Sequence, residues 1–198
     1  MGHVRLVIDG AAAVGTVAVA VMAIWGERIR ACLAPQKVTL RLHTFRGVAA
    51  LLIGPGLNRP VRYYHLKVVN DRPWLTVQNC RVLLRSLHRR GAGDNYTELE
   101  FPVPFPFVWS GEQPSPEQVT ITTERVLDFG ALAEGDEAFR PLLRAAPNLF
   151  EGYVRRGEAV RYELVVEAST LASAKSQVFE VTWDGEYPII TEVPGLGA

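Results

Sequence analysis

Val160-Arg161-Tyr162-Glu163-Leu164-Val165-Val166-Glu167-Ala168 alternates with period two, and this alternation decides the class of the fold. Val160, Tyr162, Leu164, Val166 and Ala168 fall on one face of an extended chain. Arg161, Glu163 and Glu167 fall on the other, together with Val165. A helix would need its apolar residues three and four apart. A parallel strand covered on both faces would read as one unbroken apolar run, so here one face packs and the other meets water.

The neighbouring segments repeat the pattern. Phe179, Val181 and Trp183 alternate with Glu180, Thr182 and Asp184, and the polar stretch 169–177 between the two runs fits a hairpin connection. Upstream, Val38, Leu40 and Leu42 share a face, as do Tyr64, Leu66 and Val68 opposite His65 and Lys67. Cys80, Val82 and Leu84 face one way, with Arg81, Leu83 and Arg85 on the other side. The apolar run from Val48 to Ile53 ends at Gly54-Pro55-Gly56, a strong turn signal. Shorter strands are expected at 98–101, 119–122 and 126–129, with a last edge or tail over 187–193. Only 131–146 has the composition for a short helix, and Pro141 interrupts it. Short strands with one apolar face each, separated by turns, predict an all-β sandwich of two antiparallel sheets over residues 36–193. Residues 194–198 read as a tail.

Residues 1–35 read differently. From Gly10 to Gly26 the chain runs GAAAVGTVAVAVMAIWG, without a single charge. With Leu6, Val7 and Ile8 the segment 6–26 reaches spanning length, because a hydrocarbon core of about 30 Å takes roughly 20 helical residues. Asp9 then falls near the N-terminal interface, and Trp25 suits the headgroup region at the other end. The expectation is one N-terminal transmembrane helix in contact with the lipid bilayer. Glu27, Arg28 and Arg30 follow the apolar run before any small-residue cleavage site, which favours a retained anchor over a cleaved signal. Ile29-Arg30-Ala31-Cys32 has the outline of a bacterial lipobox but departs from it at Arg30. A buried core helix is the remaining alternative. Positive charge is heavier after the apolar run (Arg28, Arg30, Lys37, Arg41, Arg46) than before it (Arg5), so the following domain is expected in the cytoplasm, on a single-pass inner-membrane protein. Ala12, Thr16 and Ala20 lie four apart on one helix face, where small residues favour helix–helix contact and a homo-oligomer. An alanine-rich stretch also produces such spacing by chance.

Charge excludes one large class of partner. The 21 basic and 21 acidic residues balance and are mixed along the chain, so nothing concentrates positive charge for nucleic acid. Nearly every cation is arginine, lysine occurring only at Lys37, Lys67 and Lys175, as in GC-rich bacterial genomes. Two cysteines, Cys32 and Cys80, make no disulfide framework; a bridge between them stays open, but Cys80 fits better as a small buried apolar residue.

No cofactor or catalytic group is legible. His3, His43, His65 and His88 lack a short metal-ligand spacing, although His43 and His65 could meet on neighbouring strands. No G-x-S-x-G elbow occurs, and Glu134, Asp136 and Glu137 lack the spacing of a calcium loop. Phe101 to Trp109 is the less ordinary segment, alternating proline with apolar residues. Prolines 102, 104 and 106 remove backbone donors along one side, leaving an edge strand or an extended polyproline-like run. Phe105, Phe107 and Trp109 would then share one face. That face either closes the open side of the sandwich or forms a partner-binding strip, and Trp74, after Pro73, is a second candidate for an exposed aromatic contact.

Three segments carry a resemblance: Tyr64-His65-Leu66-Lys67-Val68-Val69-Asn70, Pro102 to Trp109, and Phe179-Glu180-Val181-Thr182-Trp183-Asp184-Gly185. Together with the anchor, they resemble uncharacterised bacterial single-pass membrane proteins with an immunoglobulin-like domain. The resemblance spans roughly residues 60 to 185 and implies an immunoglobulin-like sandwich, with no settled activity attached. The paired core cysteines of antibody domains are missing. An anchor, a sandwich and no reactive constellation point to a membrane-tethered, non-catalytic binding module or accessory subunit of a protein partner. A self-assembling membrane effector, by analogy with bacterial defence proteins, is the alternative, and a hydrolase with an unrecognised site is the third.

Overall fold

A computed structural model describes residues 37–54, 57–100, 104–111, 114–171 and 176–194, with positions 19 and 26. The chain divides into two compact units, Met1–Gln36 and Lys37–Ala198. Apart from Val19 and Gly26, the expected span at 6–26 lies outside the described residues, as do Ala12, Thr16, Ala20 and Cys32. Among the described residues no helix is long and apolar enough to cross a membrane.

The second unit is all-β. In chain order its first strands are β1 (Val38–Leu42), β2 (Val48–Gly54), β3 (Leu57–Asn70), β4 (Val77–Arg90) and β5 (Tyr96–Leu99). Short strands follow: β6 (Phe105–Pro106), β7 (Val108–Trp109) and β8 (Val119–Ile121). The remainder are β9 (Glu124–Ala133), β10 (Ala138–Pro141), β11 (Val154–Arg155), β12 (Ala159–Glu167), β13 (Ser176–Thr182) and β14 (Ile189–Val193). One antiparallel sheet runs β1-β3-β9-β10-β11, with β2 also on β3 and β7 on β9. The other runs β14-β13-β12-β4-β5, with β6 and β8 also on β4. The two sheets form a sandwich, as the alternation predicts.

Where the alternation breaks, a bulge is the cause. β12 pairs β4 with a register shift at Glu163/Leu164: Glu163 lies opposite Ser86 and Leu164 opposite Leu84, so Arg85 is the extra residue. An extra residue reverses the facing of everything beyond it. Cys80, Val82 and Leu84 therefore point inward before the bulge and Leu87 after it, all almost fully buried. β3 and β9 repeat the device, Tyr64 pairing Gly130 and His65 pairing Asp128, with Phe129 as the extra residue.

The stretch 131–146 is not helical. β9 continues to Ala133, a turn with Gly135 at φ +82° reverses the chain, and β10 returns along it to Pro141. Its apolar residues serve the first sheet, with Phe139 fully buried. A tighter turn separates β1 from β2. Gly47 has φ +68°, and a Cβ there would meet the Tyr63 carbonyl oxygen at 2.8 Å. Only glycine fits that approach, which sets β1 and β2 end to end along the same edge of β3.

Aromatic rings fill the centre. Phe129 lies 5.3 Å from Tyr162, 5.6 Å from Phe107, 6.0 Å from Phe139 and 6.2 Å from Phe179 between ring centroids. The buried hydroxyls have acceptors: Tyr162 donates to the Gly152 carbonyl at 2.5 Å, and Tyr64 to the Pro188 carbonyl at 2.9 Å. Burial raises the pKa of both phenols, so neither ionises near neutral pH.

Candidate functional site

Pro104 to Trp109 is where the chain changes sheets. Phe105 pairs with Leu84 of β4 in one sheet, and Trp109 with Leu127 of β9 in the other. Between them the Phe107 N–H donates to the Val82 carbonyl at 3.0 Å, and the Val108 N–H to the Leu142 carbonyl at 3.1 Å. Two-residue strands alternating with proline suit a crossing of this kind, because each sheet takes only one or two ladder bonds. Of the two readings of Phe105, Phe107 and Trp109, burial fits closure of the sandwich rather than an exposed strip on one face: Phe107 is 1% and Trp109 3% exposed, and Phe105 is half-buried. Phe107 joins the aromatic centre, so the segment closes the core. Trp74 stays exposed, at 72%, in the turn between β3 and β4. That turn is held by Asn70, whose Nδ2 donates to the Leu75 and Thr122 carbonyls.

The outer face of the second sheet is neutralised by cross-strand pairs. Arg81 meets Glu167 at 2.9 Å, Arg85 meets Glu163 at 3.7 Å, and Arg161 meets Glu180 at 2.7 Å. Burial works to raise the Glu163 pKa, but hydrogen bonds from Ser86 and Ser176 with the Arg85 and His88 charges outweigh it, and the net shift is downward. Burial first, and then the hydrogen bond to Glu180, raise the pKa of Tyr96. On this face Arg81, Arg85 and Arg161 each have a carboxylate partner on a neighbouring strand.

The histidines do meet. His43 and His65 lie 6.3 Å apart edge to face, Tyr63 stacks on His65 at 6.2 Å, and His65 Nδ1 sits 2.9 Å from Asp128 Oδ1. No hydrogen bond of good geometry joins those last two atoms, so the pairing is a matter of charge when the ring is protonated. Among the described residues no group of three or more His, Cys, Asp or Glu could hold a metal ion. Cys80 is free and buried, and burial pushes its thiol up to about 12, which leaves it protonated and unreactive.

A group of exposed apolar side chains lies on β2 and its surroundings. Phe45 (53% exposed), Val48 (41%), Leu51 (53%), Tyr187 (39%) and Ile189 (38%) are large apolar side chains in water. The Ile190 N–H donates to the Phe45 carbonyl at 3.1 Å, tying the turn before β2 to β14. Arg46 lies over the Phe45 ring and Arg62 over the Tyr187 ring, with guanidinium carbons 5.4 and 4.0 Å from the centroids. Beside β2 opens a cleft of about 420 Å³, with Ala49, Ala50, Val61, Arg62, Trp183 and Tyr187 in its walls.

β2 is an edge strand. It pairs β3 alone, and its sequence VAALLIG carries no charge. The other edge strands of four or more residues each carry one: Arg41 in β1, Glu98 in β5 and Glu192 in β14. β1, on the same edge of β3, is also capped. The Gln177 side chain accepts from the Leu40 N–H at 2.6 Å and donates to the Leu40 carbonyl at 2.9 Å. Among the described residues no hydrogen bond from outside the sheet reaches β2. The sequence does signal this surface, because 48–53 is an unbroken apolar run in a chain that otherwise alternates. Such a run reads as a strand covered on all sides, and the fold leaves it at the margin. No family model and no curated protein matches this chain.

Proposed function

We propose that the chain is a non-catalytic, membrane-tethered binding module. An immunoglobulin-like sandwich is held at the cytoplasmic face of the inner membrane by residues 6–26 and engages a protein partner along β2. The observation that carries this is the free, uncharged β2 edge among exposed apolar side chains. Long apolar edges are normally blunted by charge, proline or a covering element, because bare backbone groups recruit another strand. One left bare beside a cleft fits an interaction surface. The tether rests on the uncharged run from Gly10 to Gly26, and confinement to a thin layer raises the effective concentration of membrane-bound partners.

Fractionation of expressing cells tests the tether. The full chain is expected in the membrane pellet after carbonate washing and to leave it only with detergent. Deletion of residues 6–26 should move the folded domain to the supernatant. A full chain washed off by carbonate would overturn the tethered reading.

A further inference from the structure

We infer that β2 pairs antiparallel with β2 of a second copy of this chain, joining two sandwiches into one continuous sheet across a two-fold axis at Leu51. This deepens the binding reading above and rests on it. Leu51 is the midpoint of Val48–Gly54, so an axis there pairs all seven residues: Val48 with Gly54, Ala49 with Ile53, Ala50 with Leu52, and Leu51 with itself. Any other centre shortens the ladder.

Charge permits this pairing. No charged residue occurs from Gly47 to Asn58, so none falls within the paired run. No like charges face each other, although identical edges bearing Arg41, Glu98 or Glu192 could bring them together. Small Ala49 and Ala50 let the second strand approach, and half-exposed Leu51 meets its twin. A partner strand of different sequence would need no such neutrality along the whole run. The ladder alone is only about 24 Å long, at about 3.4 Å per residue. That is a small interface, and two-dimensional confinement by the tether is what makes it sufficient.

The test uses the full chain in membranes with Cys32→Ser and Leu51→Cys, buried Cys80 being left in place. Facing residues of an antiparallel pair have Cβ atoms about 4.5–5.5 Å apart, within reach of a disulfide after slight adjustment. Mild oxidation is expected to give a disulfide-linked dimer. Glu117→Cys, at an exposed carboxylate away from β2, should stay monomeric in the same background. Leu51→Lys should abolish energy transfer between fluorescently labelled copies in the same membrane, whereas Thr16→Ile, on the candidate helix face, should leave it. If the thiol introduced by Leu51→Cys reacts with maleimide yet forms no dimer in membranes, the second copy is overturned and the tethered binding module stands. An unreactive thiol in monomeric Leu51→Cys protein would mean that the chain covers its own edge, which overturns both. A disulfide-linked Leu51→Cys dimer in a chain that carbonate strips from the membrane would overturn the tether and support the pairing.

Discussion

Phe129→Ala should lower the unfolding free energy of the sandwich by about 3–5 kcal/mol. Phe129 is fully buried and faces rings from several strands: Phe107 in the crossing segment, Phe139 of β10, Tyr162 of β12 and Phe179 of β13. Truncation removes a whole ring and leaves a void that residues from both sheets would have to shift together to fill. A domain of ordinary stability has about 5–15 kcal/mol in all, so the loss is a large fraction. Urea melts followed by tryptophan fluorescence measure it, since Trp109 and Trp183 are buried in the folded state. A midpoint unchanged from wild type would show that Phe129 is not at the centre of the core.

Gly130→Val, one residue further, should cost about 3 kcal/mol by the opposite mechanism. A Cβ at Gly130 would lie 2.2 Å from Phe139 Cζ and 2.8 Å from the Arg140 carbonyl oxygen. The ring packs against both Tyr64 and Phe129, and the carbonyl belongs to the ladder between β9 and β10. Overpacking of this kind costs about 1–3 kcal/mol, and a clash with backbone as well as a ring belongs at the upper end. The same melts report it. Gly135→Ala is the useful comparison: it has open space for a Cβ, and only its φ of +82° opposes the change, so the loss should be about 1 kcal/mol.

The strands were legible where burial is one-sided. β12 and β13 show their alternation in the residues themselves, and their pairing follows it, Val160 opposite Val181 and Tyr162 opposite Phe179. β4 could be read only to Arg85, because the bulge there reverses the phase and Leu87 then sits on what a strict alternation calls the outer face. The helix considered over 131–146 failed for a related reason: composition without periodicity does not separate a short helix from a strand and turn.

The candidate site was less legible. Three aromatics spaced two apart share a face only if the strand is straight and stays in one sheet. Phe105 and Trp109 are instead committed to different sheets, and Phe107 between them points into the core. The apolar run of β2 was visible, but its exposure was not. Whether a strand is central or marginal depends on which partner takes its second side, a long-range fact that no local pattern encodes.

Hydrogen–deuterium exchange on the full chain in bilayers, at low and high protein density, tests most directly the claim of a stable sandwich with one free edge. The amides of β4 and β12 should exchange slowly at both densities. The outward amides of β2 should exchange fast when the chain is dilute and become protected when it is crowded. Protection of β2 at every density, or exchange in β12 as fast as in β2, would contradict it.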